Sequence, residues 1–567
     1  MKTKLTLLAT LSILSCAPQA AETPFYQITD LSTSANKSGN YGPWPISLAE
    51  DKSVAMRATT NDWFQYYNMA PMGMDLAERY RYSVDCNSLM AADICDGFWS
   101  GADHRAKQWR RDTVTYTPQN ETLLEGASKT EEDGIINRLG ESADIYVGYK
   151  VTNTSLNGYY YPRQAFARLG GNDVDLVPPT TFDGVGGFSS ANTLLKLSDD
   201  IYLIGGTANT SVKGPNSSLN YCYNGDVAQG SDMSYCPGFN TQAAVWLASS
   251  SSASAATATL ASSYYRHNSG YLETAAVLGL SPQEDGTYLA VGYSSTDKAG
   301  DSVTSGRNVA VTWPVSVSDA TATFGTLSLI PLPKGTPTDD SDNVLSNTWA
   351  VAANSQGIVV GNQKYSKVKS RNKPTEMFVY DSKNATTATI PFENKPYSGS
   401  NSEAAGLNES GQVVGWRDER NETQPVYNGS PRLQEAFLYN VATGNNWRLN
   451  DLICATVAAE KSCAQNGKYY YLTYASAIHE DGTITATAYR YDTYNDWANR
   501  KNATVVPVVL SPTTDFTDTK DVPSDYVVEN ALPVSNVGQN DGGGAVPVVG
   551  VRMLAWVGWR RRSTPLN

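Results

Sequence analysis

Ala404-Ala405-Gly406-Leu407-Asn408-Glu409-Ser410-Gly411-Gln412-Val413-Val414-Gly415-Trp416 opens the stretch that decides the fold. A polar loop follows, then Glu435-Ala436-Phe437-Leu438-Tyr439 and Arg448-Leu449-Asn450-Asp451-Leu452. Two short apolar runs flank an Asn-Glu-Ser-Gly turn, which is a β-hairpin signal, and a third apolar run lies beyond the loop. One such unit exposes too much apolar surface to stand alone, so its recurrence along the chain is the deciding question.

It recurs. Ala352-Ala353-Asn354-Ser355-Gln356-Gly357-Ile358-Val359-Val360-Gly361, followed by Glu376-Met377-Phe378-Val379-Tyr380, repeats the pattern, and both Asn354 to Asn408 and Gly361 to Gly415 are spaced by the same interval. Weaker copies start near Ile46, Ile136, Leu194, Gly279 and Ala477, the last closing on Val505 to Leu510. Each copy has two strands around a turn, a glycine expected to end the second strand, a variable polar loop, and a third strand of alanine and aromatics. Units of this kind bury their faces only by stacking on one another. The expected fold is all-β, a β-propeller of about seven blades with loop insertions; six or eight remain open because the first unit is degenerate. An open β-solenoid is the alternative, and long irregular periods favour the ring.

The repeat resembles the HAF-type extracellular repeat over residues 404–452, with a second match over 350–392; Tyr26 to Leu31 resembles the opening of such arrays. The resemblance implies an exported propeller of Gram-negative bacteria. It implies no reaction, so it assigns no functional residues.

The ends of the chain read as processing signals. Lys2 and Lys4, then Leu5 to Leu14, then Ala20 and Ala21 make residues 1–21 a secretory signal peptide. Lipidation of Cys16 is the alternative. At the other end Gly542-Gly543-Gly544, an apolar run from Ala545 to Trp559, and Arg560-Arg561-Arg562 resemble a GlyGly-CTERM sorting tail over residues 542–567. That resemblance implies a rhombosortase-type protease and type II secretion machinery as partners, with transient membrane contact through the tail. The run is shorter than the ~20 residues a spanning helix needs, and Arg552 interrupts it. Residues 22–510 are then the repeat array, and residues 511–541, rich in Asp, Thr, Pro and Gly, are a linker or stalk. The expected location is secreted, or cell-surface or outer-membrane associated, after passage through the periplasm.

The formal charge of the chain is −13. Loss of both end segments removes six cations and no acids, leaving about −19. That excludes nucleic acid as a partner, because such binding depends on neutralising phosphates with Lys and Arg. Apart from Cys16, six cysteines fall into local pairs, Cys86–Cys95, Cys222–Cys236 and Cys454–Cys463, which in an exported chain read as disulfides. None is a CxxC, and His104, His267 and His479 are far apart, so a zinc site is not expected.

Functional candidates lie where the units differ. Residues 59–130 form an aromatic-rich insertion, in which Met74 to Arg81 suits a short helix. Trp63, Tyr66, Tyr67, Trp99 and Trp109 are its ligand-binding candidates, because Trp and Tyr faces stack on sugar rings. The competing reading is that these rings form the insertion's own small core. Asp339, Asp340 and Asp342 crowd oxygen ligands and are a calcium candidate, against the commoner reading of a solvated acidic loop. No other cofactor is expected. Glu284-Asp285-Gly286 and Glu480-Asp481-Gly482 are read as hairpin turns whose Asp bonds its own backbone. Ser249 to Ser263 reads as a flexible Ser/Ala/Thr loop. No Gly-x-Ser-x-Gly elbow or triad context points to a nucleophile. The reading is therefore a binding module for a glycan, a peptide or a neighbouring protein. The alternatives are a carbohydrate-active enzyme, which needs only two suitably spaced acids, and a structural surface protein.

Overall fold

In the computed structural model, the residues described are 23–32, 41–59, 113–116, 124–125, 133–151, 164–213, 238–266, 273–296, 308–337, 344–369, 373–419, 433–513 and 521–526, less a few short gaps within those ranges. The chain is all-β. Among these residues there are eight sheets: the hairpin Ala455–Val457 with Glu460–Ser462 is one, and seven larger ones, antiparallel but for the parallel pairing of Ala256–Thr257, follow one another in chain order. Their first strands are Tyr41–Leu48, Asp133–Leu139, Ser189–Lys196, Ala275–Pro282, Leu345–Ala353, Ser402–Leu407 and Lys468–Ile478. Each first strand packs against the neighbouring sheet, and Tyr41–Leu48 packs against the last, so the contacts run full circle. This is a β-propeller.

The circle is closed by the two ends of the array. Tyr26–Asp30 pairs with Thr504–Pro512, so the last sheet takes its outer strand from the start of the chain. The Tyr26 hydroxyl donates to the carbonyl of Gly482 (3.1 Å), and the Gln465 amide bonds the backbone of Tyr26 and Ile28.

The interval between copies is explained by two local devices. At the turns 49–53, 283–287, 354–358, 408–412 and 479–483 the same two backbone bonds recur: the first residue bonds the fifth in the ladder, and the fourth residue's N–H donates to the first's carbonyl. The fourth position has positive φ in all five, as Lys52, Gly286, Gly357, Gly411 and Gly482. The Asp side chains behave as expected: Asp285 accepts from Thr287 N (2.9 Å) and Asp481 from Thr483 N (3.0 Å). The second device is a bulge. All seven first strands shift register shortly before their turn, as between Ala404 and Gly406 or Ala350 and Ala352. In four of the sheets the bulge brings a carbonyl so close to the second strand that a Cβ would collide with it, and glycine stands there, as Gly206, Gly292, Gly361 and Gly415; the first and seventh sheets have Met56 and Ala486 at that place. Gly415 therefore lies inside the strand Gln412–Asp418, opposite the bulge, and does not end it as its place before the loop suggested.

Between sheets, asparagines stitch one unit to the next. The Asn137 side chain donates to Ala191 O (2.8 Å), Asn192 to Val277 O (3.0 Å), Asn354 to Asn408 O (3.2 Å) and Asn408 to His479 O (3.2 Å). Asn450 of the Leu-Asn-Asp-Leu motif both donates to and accepts from the Leu472 backbone. Lys52 and Asp481, 2.5 Å apart, join the first turn to the last. The core between sheets is apolar, and Trp246, Trp313 and Trp447 are among its fully buried side chains. Each such side chain contributes about 2–3 kcal/mol on burial.

Four expectations are revised. Thr113–Tyr116 and Leu124–Glu125 complete the first sheet, so the interruption within 59–130 narrows to residues 60–112. Those outer strands lack the Glu-Ala-Phe signature and so gave no repeat signal. The Ser249 to Ser263 run is no free loop: Ala256–Thr257 pairs with the second sheet and Thr259–Leu260 with the third, with Ala258 and Ala261 buried. Small side chains permit this close seam. Ser511 and Pro512 belong to the last strand, and beyond it Val522 and Tyr526 are buried in the core, where Tyr526 lies edge-on to Phe25 and donates to Thr23 O. The segment read as a stalk is therefore tied to the ring as far as Tyr526. Finally, the glycine expected to end the second strand lies inside it, as Gly415 does within Gln412–Asp418.

Candidate functional site

In every sheet the first and second strands are joined by a short turn, while the second and third are joined by a longer segment leaving the opposite face. The second strands end at Thr59, Val151, Lys213, Ser295, Tyr365, Asp418 and Tyr491; the third begin at Thr113, Gln164, Gly238, Asn308, Thr375, Gln434 and Thr504. All the long connections therefore issue from one face. The turn face is locked by backbone and asparagine bonds, which leaves the long-loop face as the candidate site.

On that face the fifth, sixth and seventh sheets assemble a charged network. Glu376 is fully buried and accepts from Lys369 Nζ (2.8 Å) and the Tyr365 hydroxyl (2.8 Å). Burial and the Glu376 charge together push the Tyr365 phenol far up. Glu435, at the matching place in the next unit, is also fully buried and accepts from Arg417 Nε (3.0 Å) and Arg448 Nε (2.8 Å). Glu419 accepts two bonds from Arg500, at 2.9 and 2.5 Å. Arg500 ends the helix Tyr494–Asn499 in a left-handed conformation, so the last sheet's long connection reaches back over the sixth. Its guanidinium also lies 5.2 Å from the Tyr471 ring centre. These carboxylates are matched by cations. A buried acid without a partner would cost several kcal/mol, so the pairs are tied to the fold.

Glu403 differs. It stands on the first strand of the sixth sheet, and burial pushes its carboxyl up to about 7, a rise that the Lys364 charge partly offsets. Burial likewise lowers the Lys364 ammonium. A carboxyl raised to about 7 is the condition of a group that can give or take a proton at physiological pH.

The candidates from sequence fall mostly elsewhere. Trp63, Tyr66, Tyr67, Trp99 and Trp109, the helix expected at Met74 to Arg81, Asp339, Asp340 and Asp342, His104, His267, and the pairs Cys86–Cys95 and Cys222–Cys236 lie outside the described residues. Cys454 and Cys463 form a disulfide beside the hairpin Ala455–Val457 and Glu460–Ser462. His479 bonds Asp481 through Nδ1 (2.8 Å) within its turn. Among the described residues no three His, Cys, Asp or Glu side chains gather as a metal site, and no helix is long and apolar enough to cross a membrane. Sequence reasoning missed the buried ion pairs. Their signal was present: Glu435 stands in register with Arg417, directly across the pair of strands.

Solved structures match the chain at low similarity. An ulvan lyase, a polysaccharide lyase bound to its saccharide, has 9% identity and a TM-score of 0.29, covering 65% of this chain and 81% of its own. An arabinanase of Bacillus subtilis has 10% identity and a TM-score of 0.22, covering 57% and 94%. An α-L-arabinofuranosidase of Fusarium graminearum has 9% and 0.26, covering 58% and 93%. No curated protein matches the chain. Residues 137–532, from the second sheet to the segment beyond the seventh, match the family described as "Protein of unknown function (DUF3466)". With most of its length inside that match, the chain belongs to the DUF3466 family.

Proposed function

We propose that this chain is an exported or surface-displayed binding module that holds a glycan or protein ligand on its long-loop face. The observation that supports this reading is the division of labour between the faces: short, repeated, cross-stitched turns on one, and all the long variable connections on the other. In this reading residues 1–21 are a signal peptide, the array is HAF-like, and residues 542–567 are a GlyGly-CTERM-type tail handled by a rhombosortase-type protease after type II secretion. The Trp63 to Trp109 aromatics and an Asp339, Asp340, Asp342 calcium site are candidates for ligand contact on the loops. Cys86–Cys95 and Cys222–Cys236 pin two of those loops.

A second reading, an exported carbohydrate-active enzyme on the same scaffold, is favoured by Glu403, whose carboxyl is pushed up to about 7 as a general acid requires. Fractionation of the source cells tests the first reading's location. Mature protein lacking residues 542–567 is expected outside the inner membrane, and full-length cytoplasmic protein would overturn it. Binding of soluble polysaccharides to the full chain, with and without Trp99→Ala, tests the loop face.

A further inference from the structure

A cleft of about 380 Å³ lies away from the charged network, at the seam between the third and fourth sheets. One wall is residues 262–265, which lead from the third sheet's outer strand toward the fourth. The other is residues 324–327, between the fourth sheet's outer strands. Both walls are pinned. Tyr265 N donates to Ser294 Oγ (2.9 Å) and Arg266 N to Ser295 O (3.2 Å); Gly325 N donates to Pro314 O (2.7 Å). Phe324 rests edge-on against buried Trp313, with ring centres 6.1 Å apart. Tyr264, Tyr265, Phe324 and Leu327 are half-buried, while Ser262, Ser263 and Thr326 are exposed. The cleft is thus preformed, and its size falls within the range of about 300–1,000 Å³ usual for small-molecule sites.

Its chemistry narrows the ligand. None of the eight lining residues carries a charge. An ionic ligand would lose hydration there and gain no partner of opposite sign from the lining itself; Arg266, next along the chain, lies over the Tyr265 ring, 5.4 Å from its centre. A wholly apolar ligand would cover hydroxyls without bonding them. Half-buried rings beside exposed serine and threonine hydroxyls suit a molecule with apolar C–H faces and a rim of neutral hydroxyls. We propose that this cleft binds an uncharged saccharide, with the Tyr264, Tyr265 and Phe324 rings as its apolar wall and Ser262, Ser263 and Thr326 as its hydroxyl contacts. The proposal rests on these residues alone and stands whether or not the long loops bind anything.

Isothermal titration of the full chain with maltohexaose, cellohexaose, xylohexaose and mannohexaose tests this, with hexagalacturonate as the charged control. At least one neutral hexasaccharide is expected to bind. Tyr265→Ala then weakens binding by about tenfold, while Tyr265→Phe, which keeps the ring, stays within about threefold. Thr326→Trp, at an exposed position, fills the cleft and blocks binding, and it decides the question should Tyr265→Ala fail to fold. Polysaccharide that is still retained by Thr326→Trp, in which the cleft is blocked, is held elsewhere on the chain, so failure here and failure of the loop-face reading are told apart. Binding of none of the four neutral sugars, binding of hexagalacturonate alone, or unchanged affinity in Thr326→Trp would each overturn the proposal.

Discussion

The side-chain amide of Asn354 donates to the backbone carbonyl of Asn408 at 3.2 Å, and Asn408 makes the same bond one sheet further on, to His479. Asn408 also accepts from Gln412 N (2.9 Å), so one side chain both shapes its turn and joins two sheets. Asn408→Ala removes both bonds and leaves buried backbone groups unmatched. A loss of about 2–3 kcal/mol is expected in urea unfolding. Asn408→Asp keeps the acceptor for Gln412 N and should recover part of that loss.

A Cβ on Gly415 would lie 1.9 Å from the carbonyl oxygen of Glu403, whereas one on Gly286 would meet nothing within 4 Å. The two glycines serve different ends: close approach of a bulged strand in the first case, positive φ (80°) in the second. Gly415→Ala is expected to cost more than about 3 kcal/mol or to prevent folding, and Gly286→Ala about 1 kcal/mol. Parallel melting curves of the two variants check the contrast.

The Glu403 carboxyl, pushed up by burial from its ordinary 4.5 to about 7, makes stability depend on pH. A raised carboxyl binds its proton more tightly in the folded chain. Its contribution is therefore complete below 4.5 and is lost as pH rises to about 7. Glu403→Gln should remove this slope. The difference between the melting curves of the two proteins should grow through that window, and the variant should be the more stable above it, by an amount on the order of 2 kcal/mol.

Tyr526 and Val522 clasp the closing strand from outside the array. A chain ending at Thr513 loses both, and a chain ending at Asp541 loses neither. The first is expected to be less stable by about 3 kcal/mol and the second unchanged, in urea unfolding of each.

Much of the fold was legible because the repeated residues do repeated work. Asn408, Gly411 and Gly415 recur in kind where units share the same turn, the same positive φ and the same clearance for a bulge. The role of Gly415 was misread, because a bulge in the partner strand leaves no mark beside the glycine itself. The outer strands of the first sheet and the Ala256–Thr257 seam were missed for a related reason: they are short and carry no strong apolar pattern. The site was less legible. Glu435 stood in plain view within Glu-Ala-Phe, but its burial depends on Arg448 beyond the loop. Glu403 acquires its character only from the sheet packed against it.

The central claim is that the ring binds without turning its ligand over. It is tested most directly by incubating the full chain with a panel of soluble polysaccharides and measuring, on the same samples, retention on each polymer and the appearance of new reducing or unsaturated ends. The account predicts retention on at least one polymer with no new ends. Steady release of new ends that stops in Glu403→Gln would contradict it.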